Sequence, residues 1–174
     1  MGDDGFIKIW EISETKSVPL KVIENAHRDH IRCGDASAHS DHLFVSGSYD
    51  HTTKVWDTRK DELEPLLSMD HGFPIEQVLF LPGDAFIVTA GGEFIKIWNV
   101  ASGGSLHHTL HNHHRTVTAL CLGSKGTRLL SGGLDRRINV FSLNTGDYAL
   151  LQTLCTSAPV LLMEFLHKFS YIFA

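Results

Sequence analysis

The segments Thr53-Lys54-Val55-Trp56-Asp57 and Ile95-Lys96-Ile97-Trp98-Asn99 decide the fold of this 174-residue chain, because their pattern recurs along it. Ile7-Lys8-Ile9-Trp10-Glu11 precedes them, and Ile138-Asn139-Val140-Phe141-Ser142 follows with Phe in place of Trp. The four aromatic residues lie 46, 42 and 43 residues apart. A period of about forty residues indicates a repeat architecture in which each unit stacks on the next.

A second marker keeps the same period. A histidine precedes each of the last three aromatic residues, in Ala26-His27, Asp70-His71 and Asn112-His113, by 29, 27 and 28 residues. Between these markers, residues 42–48 and 127–133 alternate in a way that is typical of short strands. We expect turns between such strands at Asp35, Pro82-Gly83, Lys125-Gly126 and Thr145-Gly146-Asp147. Four short strands per unit predict the blade of an all-β propeller.

This pattern resembles the WD-repeat family, whose units carry a His before the first strand and Trp-Asp at the end of the third. The resemblance implies a buried network of a His, a Ser or Thr, an Asp and the Trp, in which the carboxylate receives the hydrogen bonds that it needs. The residues expected to form these networks are His27, Ser46, Asp50 and Trp56; His71, Thr89 and Trp98; His113, Ser131 and Asp135; and, in the first repeat, Asp4 and Trp10. We therefore interpret the recurring histidines as structural, with no catalytic residue among them.

Besides the first repeat, two of these expected networks are incomplete. The segment Ala90-Gly91-Gly92-Glu93 is one residue shorter than its counterparts and lacks the Asp. In the last repeat, Phe141 replaces the indole N–H donor.

The repeats predict a partial ring. Residues 1–22 are expected to supply half a blade, followed by blades at about 27–67, 71–110 and 113–154 and by the start of another at 158–174. The family resemblance implies seven or eight blades, so the predicted fold is a partial WD-repeat β-propeller of about four. We expect the chain to be a fragment of a longer protein. The alternative is that its half-blades pair, within a small ring or between two chains.

The composition and motifs argue against an enzyme. The chain is 43% hydrophobic and 20% charged with a net charge of -5, a poor balance for a protein whose main task is to grip phosphate backbones. It contains no phosphate-binding glycine loop, nucleophile elbow or carboxylate pair, so we expect no small-molecule substrate and no cofactor. It also contains no apolar segment that predicts a membrane span.

The histidine-rich run from Leu106 to His114 raises the alternative of a metal site. However, His113 is already assigned to a blade network, and His107 and His108 would point to opposite faces of a strand. We therefore expect no metal ion there.

Loops held by rigid blades are the usual recognition surface of a propeller. Tyr and Arg are also enriched in binding hot spots. The candidate partner-binding residues on the loop face are His30, Arg32, Tyr49, His51, Leu134, Arg136 and Arg137. The alternative interpretation of these arginines is solvated loop charge.

The segment Trp56-Asp57-Thr58-Arg59 suggests another function. It resembles the box by which some WD-repeat proteins dock on the adaptor of a cullin-type ubiquitin ligase, and would make the chain a substrate receptor. The motif is short, and the alternative is an exposed Arg at a strand end.

Longer segments resemble one family more specifically. His30-Ile31-Arg32-Cys33-Gly34, residues 44–52, Ala90-Gly91-Gly92, residues 112–118 and residues 129–136 occur in this order. Over about residues 29–142, including the short repeat and the Phe substitution, the chain resembles the U3 small nucleolar RNA-associated protein 15 family. The resemblance implies a non-enzymatic scaffold subunit of the small-subunit processome in the nucleolus. Its role would be ribosome biogenesis: pre-rRNA processing toward 18S rRNA and support of rRNA transcription. The implied partners are other processome protein subunits and, directly or indirectly, pre-ribosomal RNA and the U3 ribonucleoprotein.

Overall fold

A computed structural model of the chain describes residues 5–10, 19–60, 64–144, 146–166 and 171–173. Within these ranges the regular structure is β-strand apart from one 3-10 turn, Ser124–Gly126. The strands are β1 (Ile7–Ile9), β2 (Lys21–Ile23), β3 (Ile31–Ala36), β4 (Leu43–Ser48), β5 (Thr52–Asp57), β6 (Leu67–Asp70), β7 (Ile75–Phe80), β8 (Phe86–Gly91), β9 (Phe94–Asn99), β10 (Ser105–Leu110), β11 (Val117–Gly123), β12 (Arg128–Gly133), β13 (Arg137–Ser142), β14 (Leu150–Cys155), β15 (Glu164–Leu166) and β16 (Tyr171–Phe173). None of the described residues belongs to a helix with the length and apolarity that crossing a bilayer requires.

The strands form three four-stranded antiparallel sheets and two two-stranded ones. The strand orders are β3-β4-β5-β6, β7-β8-β9-β10 and β11-β12-β13-β14, which we call the first, second and third blades, with β1-β2 before them and β15-β16 after them. The initial strands β3, β7 and β11 lie side by side in successive blades, and β15 follows β11. The predicted all-β, partial WD-repeat β-propeller is therefore confirmed.

The strands extend slightly beyond the expected units. Strand β6 ends at Asp70, whereas the corresponding unit was expected at about 27–67, and β14 ends at Cys155, one residue after the expected 113–154. The prediction of a turn at Asp35 is wrong, because this residue lies inside β3. Its side chain explains why a strand tolerates it there: Asp35 Oδ2 accepts a hydrogen bond at 2.8 Å from the backbone N–H of Phe80 in the next blade.

The hydrophobic core lies between neighbouring blades. Strand β12 of the third blade buries side chains on both of its faces. Leu129 packs toward the second blade, and Leu130 packs toward β15. The interface of the first and second blades brings Val45 and Val55 against Ile75. Since each face of a blade is apolar, the blades stabilise one another by burying these faces.

Each blade carries the same irregularity at its inner edge. The register between the first and second strands shifts at Ile31/Cys33, Ile75/Gln77 and Val117/Ala119. An extra residue at a strand pair is a β-bulge, which redirects the side chain of that residue. The three bulges therefore set Arg32, Glu76 and Thr118 in equivalent positions around the ring.

Candidate interaction surface

The first blade brings together the four residues expected there. The Nδ1–H of the buried His27 donates to Asp50 Oδ2 at 3.0 Å, since a carboxylate can only accept. Its Nε2 then accepts a hydrogen bond at 2.7 Å from the hydroxyl of Ser46. The indole Nε1–H of Trp56 donates to Ser46 Oγ at 2.8 Å. The network therefore links four segments of the blade through one neutral imidazole.

The protonation states in this blade suit its hydrogen bonds. Burial lowers the pKa of His27 and so favours the neutral ring. Burial opposes ionisation of Asp50, but hydrogen bonds from the Thr52 hydroxyl and the Arg28 amide outweigh it and lower the pKa of Asp50 to about 2. The carboxylate is therefore charged and the histidine neutral at pH 7.

The third blade keeps the same arrangement without the indole donor. His113 Nδ1–H donates to the Asp135 carboxylate at 3.0 Å, and Ser131 O–H donates to His113 Nε2 at 2.7 Å. The backbone N–H of His114 donates to the same carboxylate at 3.1 Å. Phe141 is fully buried and has no N–H to offer Ser131.

In the second blade the two ring nitrogens of the histidine exchange their roles. His71 Nε2–H donates to the backbone carbonyl of Gly91 at 3.1 Å, which takes the place of the missing Asp. His71 Nδ1 accepts from the hydroxyl of Thr89 at 2.8 Å, and Trp98 Nε1–H donates to Thr89 Oγ1 at 2.9 Å. Burial lowers the pKa of His71 to about 4, which keeps the ring neutral. The short repeat thus preserves the network with the opposite tautomer.

Two network residues were expected in the first repeat. Asp4 lies outside the described residues. Trp10 is 51% exposed, unlike the buried Trp56 and Trp98. An exposed indole N–H can donate to water, so Trp10 does not take the buried network position that was expected of it.

The lysines two positions before Trp56 and Trp98 have a role that the sequence does not reveal. Lys54 Nζ donates to the carbonyl of Ala26 at 2.5 Å, and Lys96 Nζ donates to the carbonyl of His71 at 2.8 Å. In the third blade Asn139 Nδ2 donates to the Asn112 carbonyl at 3.2 Å. These bonds tie the third strand of each blade to the loop that carries the histidine, so Lys-x-Trp in the repeat reflects loop anchoring.

Part of the candidate partner-binding set forms an inter-blade cluster. Arg32, at the bulge of β3, donates from Nε to Glu76 Oε2 at 3.2 Å, and the Tyr49 hydroxyl donates to Glu76 Oε1 at 3.3 Å. The rings of His30 and Tyr49 lie 6.4 Å apart, and His51 is exposed at a turn with φ of 72°. Glu76 was not among the candidates, because the sequence does not reveal that the bulges of β3 and β7 meet.

The remaining candidates lie on the third blade. Leu134 and Arg137 are half-buried, and Arg136 is exposed at the turn between β12 and β13 with φ of 62°. This turn belongs to the third blade, whereas the Arg32–Glu76–Tyr49 cluster joins the first and second blades, so the candidates do not form one cluster.

Arg59 folds back on the aspartate of its own motif. Its Nη2 lies 2.7 Å from Asp57 Oδ2 and its Nε 3.0 Å from Asp57 Oδ1. These hydrogen bonds hold the pKa of Asp57 below its usual range. The guanidinium stays largely exposed. This exposure is compatible with both interpretations of Arg59, as an exposed residue at a strand end and as a docking residue.

The histidine-rich run makes aromatic contacts. His107 and His108 both pack near Tyr148, at ring distances of 5.9 and 5.2 Å, and His111 stacks on Phe94 at 4.5 Å. Among the residues with described positions, no three His, Cys, Asp or Glu side chains gather as metal ligands would.

The family model of the WD domain, G-beta repeat, matches residues 17–57 and 104–142. The chain is 43% identical over 159 residues to the U3 small nucleolar RNA-associated protein 15 homolog of Xenopus tropicalis, which covers 91% of this chain and 30% of that protein. It is 42% identical over 142 residues to the Homo sapiens homolog, with 82% and 27% covered. Protein SLOW WALKER 1 of Arabidopsis thaliana is 38% identical over 143 residues, with 80% and 26% covered. The chain thus spans less than a third of the length of these relatives.

Proposed function

We propose that this chain, which belongs to the WD-repeat family of β-propeller proteins, serves ribosome biogenesis as part of a non-enzymatic scaffold. Its similarity to proteins named for association with U3 small nucleolar RNA carries the proposal. That similarity extends over most of the chain, well beyond the repeat features that WD-repeat proteins have in common. The proposed role is in pre-rRNA processing toward 18S rRNA, with support of rRNA transcription, in the nucleolus.

The physical basis of the scaffold is the rigidity of the loop face. Each blade anchors its loops through a buried histidine network, and hydrogen bonds such as Arg32–Glu76 join one blade to the next. Loops held in fixed relative positions lose little conformational entropy on binding, so several shallow contacts add up to specific docking. The proposed partners are other processome protein subunits and, directly or indirectly, the U3 ribonucleoprotein and pre-ribosomal RNA.

The proposal is tested in vertebrate cells depleted of their own U3 small nucleolar RNA-associated protein 15 homolog. A tagged protein containing this chain is expected to concentrate in nucleoli and to co-precipitate U3 RNA. Depletion is expected to accumulate unprocessed precursors of 18S rRNA on northern blots. A tagged protein that is excluded from nucleoli and recovers no U3 RNA would overturn the proposal.

Charge reversal tests whether the loop face contacts the U3 ribonucleoprotein. Arg136→Glu with Arg137→Glu is expected to reduce co-precipitated U3 RNA several-fold, because the change affects a loop-face turn. Lys125→Glu is the matched control, since Lys125 is exposed at the opposite end of β12, between β11 and β12. Equal recovery of U3 RNA by all three proteins would exclude this turn as the contact surface.

The second candidate function is a substrate receptor of a cullin-type ubiquitin ligase. The observation that favours it is the Arg59 guanidinium, which Asp57 holds in a defined position at the end of β5 while leaving it accessible. This reading requires adaptor binding that is lost in Arg59→Ala. The ribosome-biogenesis proposal requires that U3 recovery stay unchanged in the same variant.

A further inference from the structure

The short repeat of the second blade creates a groove on the loop face. The shortened turn places Gly92, with φ of 55°, where a Cβ atom would lie 2.9 Å from Cγ and Cδ1 of Phe73. The Phe73 ring therefore packs directly on the Gly92 backbone. The residue two positions after the network histidine is Asp29 in the first blade and Arg115 in the third, so this aromatic side chain is particular to the second blade.

The groove has a volume of about 660 Å³ and lies between the second and third blades. Phe73, Phe94 and Leu134 supply apolar walls, while Glu93, His114 and Arg115 supply the polar ones. Phe73 is 41% exposed, although it is a large apolar side chain. Two backbone hydrogen bonds fix the floor, from the Val117 N–H to the Gly92 carbonyl at 2.8 Å and from the Leu134 N–H to the Thr116 carbonyl at 2.9 Å.

Stacking contacts hold the aromatic wall in place. The Phe73 and Phe94 ring centroids are 5.4 Å apart with planes 29° from parallel, and Phe94 and His111 are 4.5 Å apart at 27°. Such stacks restrict the rings. Phe73 is therefore a preorganised apolar anchor point with one face toward solvent.

The charged side chains that line the groove are Glu93 and Arg115. Glu93 lies 3.3 Å from His111 Nε2, and the Asp135 carboxylate is already held by His113 and by the His114 amide. The exposed guanidinium of Arg115 has no hydrogen-bond or ion-pair partner among the described residues. Arg115 is thus the cation at the groove that is open to a partner, beside the apolar Phe73, Phe94 and Leu134.

We propose that this groove, the Phe73 groove, binds a short peptide segment of a partner protein that inserts one large apolar side chain against Phe73 and places an acidic residue at Arg115. The inference rests on the proposed function only in taking the loop face as the partner-binding face. RNA fits less well, because a strand carries a phosphate at every nucleotide and would bring one beside Glu93. A peptide can place a carboxylate at Arg115 and none beside Glu93.

Fluorescence polarisation with the full chain tests the proposal. The probe is a fluorescein-labelled peptide, Gly-Ser-Leu-Phe-Glu-Glu-Asp-Gly, and the comparison ligands are the same peptide with Lys for each acidic residue and an oligouridine RNA. The acidic peptide is expected to bind best. Phe73→Ala is expected to weaken its binding about tenfold, as hot-spot truncation does. Arg115→Glu is expected to weaken binding as strongly and to remove most of its salt dependence.

Matched variants separate binding from folding. Leu106→Ala removes a comparably exposed apolar side chain (49%) from β10 of the same blade, and Lys125→Glu reverses a charge away from the groove. Both are expected to bind the peptide as the unmodified chain does. Phe73→Leu, which retains apolar contact but loses the stack, is expected to give an intermediate affinity even if Phe73→Ala is unstable.

Several outcomes would overturn the inference. The first is failure of the acidic peptide to bind. The second is binding of the peptide by both Phe73→Leu and Arg115→Glu with the affinity of the unmodified chain. The third is preferential binding of the RNA. None of these outcomes bears on nucleolar location or U3 recovery, so the Phe73 groove can fail while the proposed function stands.

Discussion

At the residue scale, the histidines show how one network survives different local sequences. His27 and His113 carry the proton on Nδ1 and donate it to a carboxylate. His71 carries it on Nε2 and donates to the Gly91 carbonyl, because its turn lacks the Asp. Each ring satisfies both nitrogens while buried, and an unsatisfied buried polar atom costs about 1–3 kcal/mol. Any acceptor in reach therefore preserves most of the stabilisation.

Alanine variants at Ser46 and Ser131 test the cost of leaving a buried polar atom without a partner. Ser46 serves both the His27 Nε2 and the Trp56 N–H, so its removal leaves two buried groups without partners. Ser131 makes only the hydrogen bond to His113 Nε2, because Phe141, which stands in place of the tryptophan, has no N–H to donate. We expect Ser46→Ala to lower the free energy of unfolding by about 1–3 kcal/mol more than Ser131→Ala in urea titrations. Equal losses would show that the indole hydrogen bond adds nothing to stability.

At the element scale, the blades fit through size complementarity between strands. A Cβ at Gly47 in β4 would lie 2.7 Å from Ile75 Cγ2 and 2.8 Å from Cys33 Sγ. At the equivalent position the second blade has Ala90, and the residue equivalent to Ile75 is the smaller Val117. Ala90 and Val117 share one buried cluster. In the first blade, glycine at position 47 thus leaves room for the larger Ile75 side chain.

Gly47→Ala is expected to destabilise the chain by about 1–3 kcal/mol through overpacking. Ile75→Val alone should cost about 0.5–1.5 kcal/mol. Together they recreate the pair found in the second blade, since loss of the δ-methyl lets the side chain move back. We expect the double variant to lose less than the two single losses combined, in the same urea titrations. Strict additivity would contradict a steric coupling between the two blades.

At the scale of the whole molecule, the two-stranded sheets expose apolar surface that the full blades bury. Trp10 borders a cavity of about 650 Å³ against the first blade, beside Phe44. Near the other two-stranded sheet, Leu161 and Leu162 are 69% and 74% exposed. Exposed apolar side chains beside short, two-stranded sheets favour association.

Light scattering tests that consequence. The purified chain is expected to show a mean mass that rises with concentration. Leu161→Ser with Leu162→Ser should reduce this rise, whereas Leu106→Ser on the outer strand of a complete blade should leave it unchanged. A constant monomer mass for the unmodified chain, or the same rise in the serine double variant, would contradict association through this surface.

The sequence by itself determined the repeat, the strand-rich blades and the identity of the network residues from 27 to 135. These features arise from the local alternation of polar and apolar residues and from side chains that recur at a fixed spacing. Both can be recognised in the amino-acid sequence. The sequence also revealed that the second repeat lacks its Asp. It did not reveal what replaces that residue.

The tertiary structure decided which groups meet across blades. The pairing of Arg32 with Glu76, the hydrogen bond from the Phe80 amide to Asp35 and the packing of Phe73 on Gly92 all join residues of different strands or blades. Their distances depend on bulges, register and the angle between sheets, which no spacing along the chain encodes. A carbonyl at Gly91 likewise becomes an acceptor for His71 only when a short turn brings its oxygen within 3.1 Å of the ring.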